Sequence, residues 1–128
     1  MTTFKKENTI RAGETLFDPA KTLSEIQVKF KEHKIFWKSH ARQRMQDRGI
    51  DRTWVREQVA EGNIQLVDFV WSHGHPEKIL VNVGAPPGKQ TPVHVCIIND
   101  TPKASVITVY WVDFEQFHDD GITRKRRV

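Results

Sequence analysis

The sequence predicts an α+β fold in which N-terminal helices pack on a four-stranded antiparallel sheet. Residues 18–62 show helical spacing of apolar side chains and helix caps. Residues 64–112 instead hold four runs rich in valine and isoleucine, separated by turn sequences without a helical segment. Such an arrangement is typical of an antiparallel meander. The length of 128 residues fits one domain with a modest core.

Three helices are expected in the first half of the domain. A T-x-x-E capping box at residues 22–25 predicts that the first begins near Leu23. The second covers residues 39–49, with a serine suited to the N-cap and a glycine suited to the end. Asp51 is expected to cap the third helix, which closes at Gly62.

The four predicted strands cover residues 64–71, 78–83, 92–99 and 104–112. One face of the sheet should be covered by the helices and the other left partly open. Alternation in the third strand separates two sets, Val93, Val95 and Ile97 from His94, Cys96 and Ile98. Alternation in the fourth separates Val106, Thr108 and Tyr110 from Ile107, Val109 and Trp111.

The chain divides into three predicted parts: a flexible arm over residues 1–17, a single domain over 18–118 and a basic tail over 119–128. The net charge of +4 favours an anionic partner, with nucleic acid first. The single cysteine excludes a disulfide framework and a cysteine-rich zinc site, and it suits a reducing compartment. No apolar run approaches the roughly 20 residues of a membrane span, so no membrane association and no signal peptide are expected.

A basic stripe on the second predicted helix is the most informative feature. His40, Arg44 and Arg48 follow one another at i, i+4 and i+8, and therefore lie on one helix face. Like charges at this spacing destabilise a helix slightly. The stripe therefore either gathers an anion or belongs to a generally basic surface.

These residues also carry a family resemblance. The motif His40-Ala-x-x-Arg44-Met-x-x-Arg48-Gly-Ile, followed by strands that end in Val-Ile-Thr-Val-Tyr110, resembles the family domain of unknown function 4258 over roughly residues 34–112. That family is grouped with the barnase, EndoU, colicin and RelE-like ribonucleases, many of which are toxins. The resemblance implies RNA cleavage without a metal or cofactor. It places functional residues at His40, Arg44, Arg48, Thr108 and Tyr110.

The residue types suit this chemistry. RNA supplies its own nucleophile, the 2′-hydroxyl, so an enzyme needs a base, an acid and cations around the phosphate. Histidine titrates near neutrality and fits either proton role, which makes His40 the leading acid/base candidate. The arginine fork matches phosphate, and threonine and tyrosine hydroxyls can hydrogen-bond to it. Lys38, Arg42 and Arg52 are the further candidates for nucleic-acid binding.

Simpler interpretations stay open beside these. His40 can be hydrogen-bonded to the helix backbone, and the arginines can form ion pairs with Asp47, Glu57 or Asp68. His94 is a candidate second proton carrier if its face of the sheet is open. Cys96 is expected to be a small strand residue rather than a nucleophile. The H-x-H pair at residues 73–75 lacks a companion at ligand spacing, so no metal site is expected.

The sequence therefore predicts a metal-independent ribonuclease-type toxin that cleaves RNA, with transfer RNA as one candidate substrate. An antitoxin or immunity protein is the expected partner, and no small-molecule cofactor is expected. The expected site of action is the cytoplasm, with delivery as part of a larger secreted effector left open. Two alternatives remain, a noncatalytic nucleic-acid-binding module and a protein-interaction domain whose basic stripe is used in internal salt bridges.

Overall fold

A computed structural model of the chain describes residues 18–72 and 75–125, so the predicted arm over residues 1–17 and the last three residues of the predicted tail lie outside it. The fold is α+β, as predicted. Its elements follow in the order α1 (Pro19–Lys31), β1 (Ile35–Trp37), α2 (Ser39–Arg48), α3 (Arg52–Ala60), β2 (Gln65–Ser72), β3 (His75–Asn82), β4 (Val93–Ile98) and β5 (Ala104–Trp111).

The sheet has five strands in the order β1-β5-β4-β3-β2, and it is mixed. The predicted four-stranded antiparallel sheet is therefore wrong in this detail. The additional strand β1 pairs in parallel with the start of β5, from Ile35 opposite Ala104 to Trp37 opposite Val106. The four other strands pair antiparallel, as expected. β1 has three residues and its partner β5 lies far along the chain, so no turn sequence between them predicts the pairing.

The first helix begins earlier than the capping box indicates. Asp18 is the N-cap, and its carboxylate accepts hydrogen bonds from the backbone N–H groups of Ala20 and Lys21 at 3.0 and 3.3 Å. Pro19 follows at the first helical position, where its missing N–H costs nothing. Thr22 is buried inside the first turns, so it packs rather than caps.

The two short helices follow their predicted signals closely. Gly49 ends α2 in the left-handed conformation with φ of 66°, as its position predicts. Asp51 caps α3 by accepting the N–H of Thr53 at 3.0 Å, also as predicted. The N-cap of α2 is Lys38 rather than Ser39, and it makes no side-chain capping hydrogen bond.

The core lies between the helices and one face of the sheet. The predicted set Val93, Val95 and Ile97 on β4 is fully buried there. All three helices contribute to this core, through Ile26, Phe30, Ala41, Met45, Val55 and Val59. The helices therefore cover the face that carries the valine and isoleucine set of β4.

A β-bulge changes the alternation predicted for β5. Thr108 lies opposite Cys96, but the next residue of β4, Ile97, lies opposite Val106. Ile107 is therefore the extra residue. As a result Val106 and Val109 are both in the helix-covered core, whereas strict alternation places them on opposite faces.

The other face of the sheet is partly covered by the C-terminal segment. Phe117 and Arg124 form an isolated antiparallel bridge, and the N–H of His118 donates to the carbonyl of Thr123 at 2.9 Å. Phe117 is 2% exposed. Residues 119–125, which the sequence assigns to a tail, thus form the turn and the returning segment of a hairpin that packs on the sheet.

His94 links this C-terminal hairpin to β4. Its side chain is 0% exposed, and Nε2 lies 2.6 Å from the carbonyl oxygen of Gly121. Because a carbonyl only accepts, Nε2 carries the proton. The ring packs edge-on against Tyr110 and Phe117, with centroid separations of 5.6 and 4.8 Å. Burial lowers the pKa of His94, because the charged ring would lose its hydration.

We expect this buried histidine to make the fold sensitive to mild acid. Its folded pKa lies below its unfolded value, so its contribution is complete above the unfolded pKa of about 6.5 and is lost as the pH falls below it. The maximum slope is about 1.4 kcal/mol for each pH unit. Urea unfolding between pH 7.5 and about pH 5 should therefore show a steeper loss of stability in the wild type than in His94→Gln. Parallel losses in the two proteins would contradict this role of His94.

Candidate nucleic-acid interface

The basic stripe of α2 contains a direct contact between two of its members. The guanidinium Nε of Arg44 donates a hydrogen bond to Nε2 of His40 at 3.2 Å, and both side chains are exposed. Their i, i+4 spacing brings the two groups together on the helix surface. Because Nε2 accepts this bond, the proton of the neutral ring is on Nδ1 in this arrangement.

Arg48, the third member of the stripe, is bonded to strand β5. Its Nη1 donates to the backbone carbonyl of Val109 at 2.8 Å, and its side chain is half-buried. In return the indole N–H of Trp111 donates to the carbonyl of Arg48 at 3.0 Å. This reciprocal pair of hydrogen bonds fixes the end of α2 on β5. The exposed part of the stripe is therefore His40 and Arg44.

The cations of α2 are not neutralised by acidic side chains in the part of the chain that the structure describes. The ion pairs found there join Lys34 to Glu32 and Arg124 to Asp68. Asp47 instead accepts a hydrogen bond from Gln43 at 2.9 Å. The three carboxylates proposed as ion-pair partners of Arg44 and Arg48, those of Asp47, Glu57 and Asp68, do not fill that role.

Two further predicted binding residues lie on the other side of α2. Arg42 and Arg52 line a groove of about 430 Å³ between α2 and the start of α3. The Arg52 guanidinium lies 5.9 Å from the centroid of the Trp37 ring, which is a cation–π distance. Lys38, at the N-cap of α2, is exposed. The buried face of α2, formed by Ala41 and Met45, therefore has cationic side chains on both sides.

Thr108 and Tyr110 do not join His40 and Arg44. Their neighbours Val109 and Trp111 pack on the helix-covered side, so alternation directs Thr108 and Tyr110 to the opposite face. There they line a cavity of about 170 Å³, together with Asp68, Leu80, Cys96 and Arg124. The candidate residues taken from the resemblance thus fall into two groups on opposite sides of β5.

His94 is also separated from His40. The interpretation of His94 as a second proton carrier depends on an open face, and the C-terminal hairpin covers that face at His94. Both ring nitrogens are buried. Nε2 is engaged by Gly121, and Nδ1 has no hydrogen-bond partner among the described residues. The position of His94 is therefore that of a structural link.

Burial alters the acid–base properties of the groups around the cavity. It raises the pKa of the Asp68 carboxyl, an effect opposed by the N–H of Phe69 and the charge of Arg124. It also raises the pKa of the Cys96 thiol and of the Tyr110 hydroxyl. A thiol held neutral is a poor nucleophile, which agrees with the interpretation of Cys96 as a strand residue.

The comparison with known families decides the family of the chain. Residues 37–111 match the family described as domain of unknown function (DUF4258), which is more than half of the 128 residues. The chain belongs to the DUF4258 family. Neither a curated protein nor a solved structure matches it. The DUF4258 match begins at the last residue of β1 and ends at the last residue of β5, so it contains α2 and the strand that anchors it.

Metal ligands and membrane-spanning helices are absent from the described part of this DUF4258 protein. No group of three or more His, Cys, Asp or Glu side chains is placed there to hold a metal ion. None of the described helices is long and apolar enough to cross a membrane. His73 and the side chain of His75, which form the H-x-H pair, lie outside the described part.

Two residues with a clear place in the structure are not among the site residues that the sequence predicts. The sequence suggests Asp68 only as an ion-pair partner, although a lone carboxylate within the apolar run IQLVDFVW is itself a signal. It places Arg124 in a solvated tail. In the structure the Arg124 guanidinium lies 4.7 Å from the Phe117 ring centroid, and its Nε lies 3.8 Å from an Asp68 oxygen.

The different environments of Arg44 and Arg48 predict different effects on stability. Arg48→Ala removes a donor to a partly buried carbonyl and should lower the free energy of unfolding by about 1–2 kcal/mol. Arg44→Ala removes an exposed side chain and should change it by less than about 0.5 kcal/mol. Urea unfolding of both variants at pH 7 tests this. Equal losses would show that the bond to Val109 does not stabilise the docking of α2.

Proposed function

We propose that this DUF4258 protein is an endoribonuclease that cleaves RNA through its 2′-hydroxyl group, with the exposed pair of His40 and Arg44 as its catalytic centre. The observation that supports the proposal is the 3.2 Å hydrogen bond between these two side chains on a cationic, unneutralised helix surface. A base next to an anion-binding group is what cleavage of a phosphodiester requires.

The two side chains divide the chemistry between them. His40 takes the proton from the 2′-hydroxyl through Nε2, which accepts from Arg44 while no substrate is bound. When the phosphate arrives, the guanidinium of Arg44 turns its donors towards the nonbridging oxygens and stabilises the charge that develops there. The same contact that positions His40 in the free protein thus keeps a phosphate ligand beside it.

The proposed reaction is an internal transphosphorylation. The 2′-oxygen attacks the phosphorus, the bond to the 5′-oxygen breaks, and the products are a 2′,3′-cyclic phosphate and a 5′-hydroxyl. The 5′-oxygen takes its proton from solvent water, and His40 releases to solvent the proton that it removed from the 2′-oxygen, so the protons balance. The nucleophile, the leaving group and the phosphorus all belong to the RNA.

The surrounding cations suit an extended polyanion rather than a single phosphate. Arg42 and Arg52 line the groove on one side of the buried face of α2, and His40 and Arg44 lie on the other side. Lys38 lies at the N-terminal end of α2. A strand of RNA that crosses α2 would therefore contact cationic side chains on both sides of the helix.

A noncatalytic nucleic-acid-binding module is the second candidate. His94, Thr108 and Tyr110 lie on the opposite face of the sheet, so His40 has no second predicted proton carrier beside it. A site with one proton carrier favours a module that binds RNA without cutting it. Both candidates use the same cationic surface. They differ in whether bound RNA is cut.

Placement of this protein with the toxin ribonucleases extends the proposal to its biology. An RNA-cleaving domain is harmful in the cytoplasm unless it is restrained, so we propose an antitoxin or immunity protein that binds the α2 surface. Such a partner would present carboxylates to Arg42, Arg44 and Arg52, because complementary charge gives fast and selective association. Transfer RNA is one candidate substrate in this setting.

Incubation of the purified protein with total RNA in excess chelator tests the reaction. The wild type should produce fragments with 2′,3′-cyclic phosphate ends, and His40→Ala should lower the rate by about 100-fold or more, as for loss of a general base. His118→Ala, which removes another exposed histidine, is the matched control and should cut at the wild-type rate. Cleavage that persists in His40→Ala would contradict the assignment of the base, and uncut but bound RNA would favour the binding module.

The salt dependence of RNA binding tests the surface itself. Arg42→Gln and Arg52→Gln should each weaken binding to single-stranded RNA and lower the slope of log K against log salt by about 0.7 for each phosphate that is no longer neutralised. Fluorescence anisotropy on a substrate that carries 2′-deoxy sugars measures binding without cleavage. Lys89→Gln, in the exposed loop between β3 and β4, is the charge-matched control. If the slope of log K against log salt is unchanged in both arginine variants, RNA does not bind to the groove that Arg42 and Arg52 line.

A further inference from the structure

The outer edge of β1 presents backbone groups to the solvent beside an exposed aromatic side chain. β1 is the first strand in the sheet order, so β5 is its neighbour on one side. In the part of the chain that the structure describes, no strand pairs with its other side. A strand at a sheet edge offers a row of N–H and C=O groups to another chain. This edge is therefore suited to receive an added strand.

The pairing of β1 with β5 shows which backbone groups point outwards. The Lys34 carbonyl accepts the N–H of Ala104 at 3.0 Å, and the Lys38 N–H donates to a carbonyl of β5 at 3.2 Å. Successive residues of a strand direct their backbone groups to opposite edges, so the even-numbered residues of this segment face β5. The N–H and C=O groups of Ile35 and Trp37 consequently face the free edge.

The side chains along this edge form a pattern of cation, aromatic ring and cation. Phe36 is 53% exposed, and it points to the face opposite the helices, since Ile35 and Trp37 pack against the core. Alternation places Lys34 and Lys38 on the same face as Phe36, one on either side of it. Both lysines are exposed.

Further cationic groups lie beside β1. Lys103, immediately before β5, is exposed, and the Arg52 guanidinium lies 5.9 Å from the centroid of the Trp37 ring. The carboxylate of Glu32 lies 3.2 Å from Lys34, but both side chains of this ion pair are more than half exposed, and such pairs contribute little. An acidic partner therefore complements the edge better than a neutral or basic one.

The two lysines disfavour a second copy of this chain as the added strand. If two β1 strands paired antiparallel and centred on Phe36, Lys34 of each copy would lie opposite Lys38 of the other. Like charges directly opposite each other destabilise a strand pair. The same lysines attract an acidic segment, so charge distinguishes the two occupants.

We propose that the free edge of β1 is the docking site for an acidic, extended segment of a partner protein, which adds to the sheet as an antiparallel strand. The segment has the pattern acidic-x-apolar-x-acidic. Its apolar residue lies opposite Phe36, and its acidic residues lie opposite Lys34 and Lys38, because opposing residues share a face of the sheet. The two residues between them form backbone hydrogen bonds with Ile35 and Trp37.

The edge leads directly to the α2 surface. Lys38 follows β1 and is the N-cap of α2, and His40 comes two residues later. A segment bound to β1 thus brings the partner to the end of α2 that carries His40. The identification of this partner as the antitoxin or immunity protein rests on the proposed function, whereas the docking depends only on the edge.

Titration of the isotope-labelled full-length protein with the peptide acetyl-Thr-Glu-Thr-Val-Thr-Glu-Thr-amide tests the docking by NMR. The amide signals of Ile35 and Trp37 should shift in a saturable manner, because their N–H groups gain acceptors. The peptide methylated at the nitrogens of both threonines next to valine lacks the donors to β1 and should bind at least about tenfold more weakly.

Methylation of the valine nitrogen is the matched control for this titration. That nitrogen faces away from β1, so the affinity should equal that of the unmodified peptide. If the two methylated peptides bind equally, or if neither amide of Ile35 and Trp37 shifts, the proposal is overturned.

Changes of side chains test the pattern of the segment. The peptide with lysine in place of both glutamates should bind at least about fivefold more weakly. Phe36→Ala should weaken binding of the original peptide about threefold, because an aromatic cross-strand contact is lost. Phe114→Ala, which removes another exposed phenylalanine, should bind as the wild type does. Equal affinity for the glutamate and lysine peptides would overturn the acidic partner.

Measurements on the free protein identify other occupants of the edge. Shifts of the Ile35 and Trp37 amides that grow with protein concentration would show pairing with a second copy. Slow hydrogen exchange of both amides in dilute free protein would show that the edge is covered by the chain itself. Either result would overturn the docking of a partner segment.

RNA cleavage separates this inference from the proposed function. Peptide binding that depends on Phe36, in a protein that leaves RNA uncut, would overturn the nuclease and retain the docking edge. RNA cleavage without peptide binding would overturn the docking edge and retain the nuclease. Phe36→Ala should cut RNA at the wild-type rate, since Phe36 lies on the face opposite the helices.

Discussion

The reciprocal hydrogen bonds between Arg48 and β5 are the contact on which the arrangement of the surface depends. β1 pairs with β5 only as far as Val106, so the remaining edge of β5 has backbone groups without a neighbouring strand. Arg48 satisfies the carbonyl of Val109 at that edge, and the indole of Trp111 satisfies the carbonyl of Arg48 near the end of α2. One arginine thus completes a sheet edge and a helix terminus together, in positions where unpaired polar groups are costly.

This docking determines what α2 shows to the solvent. With Ala41 and Met45 in the core and Arg48 tied to β5, the helix cannot rotate about its axis without breaking both sets of contacts. His40 and Arg44 are consequently held outwards on the helix face that also carries Arg48, and Arg42 lies on the side of α3. A short helix with few apolar residues would not keep such an orientation by propensity alone. The tertiary contacts therefore turn a basic sequence into an oriented surface.

The local signals explain which parts of the fold and site could be predicted. Gly49 and Asp51 act on their own helix ends, so their predicted roles are confirmed. The alternation in β4 is confirmed because one face of that strand is uniformly buried. The pairing of β1, the bulge at Ile107 and the docking of Arg124 all join residues distant in sequence, and no short-range pattern announces them.

The same reasoning applies to the grouping of the site residues. The sequence places His40 and Arg44 on one helix face, because helical geometry is local. It does not say which face of the sheet that helix covers. Alternation shows only that Thr108 and Val109 point in opposite directions. Since α2 packs on the Val109 side, Thr108 and Tyr110 are necessarily directed away from it.

The cavity owes its properties to a segment that lies beyond the family match. The match ends at residue 111, whereas the hairpin that carries Phe117, Gly121 and Arg124 follows it. His94 holds this hairpin through a hydrogen bond to the carbonyl of Gly121. A side chain at position 121 would place its Cβ 3.0 Å from the Asn82 side chain, so glycine fits this close contact. Without the hairpin, Asp68 would lose the guanidinium beside it and gain access to water. The buried environment of the cavity is thus completed by the C-terminal segment, while the exposed cationic surface is supplied by α2.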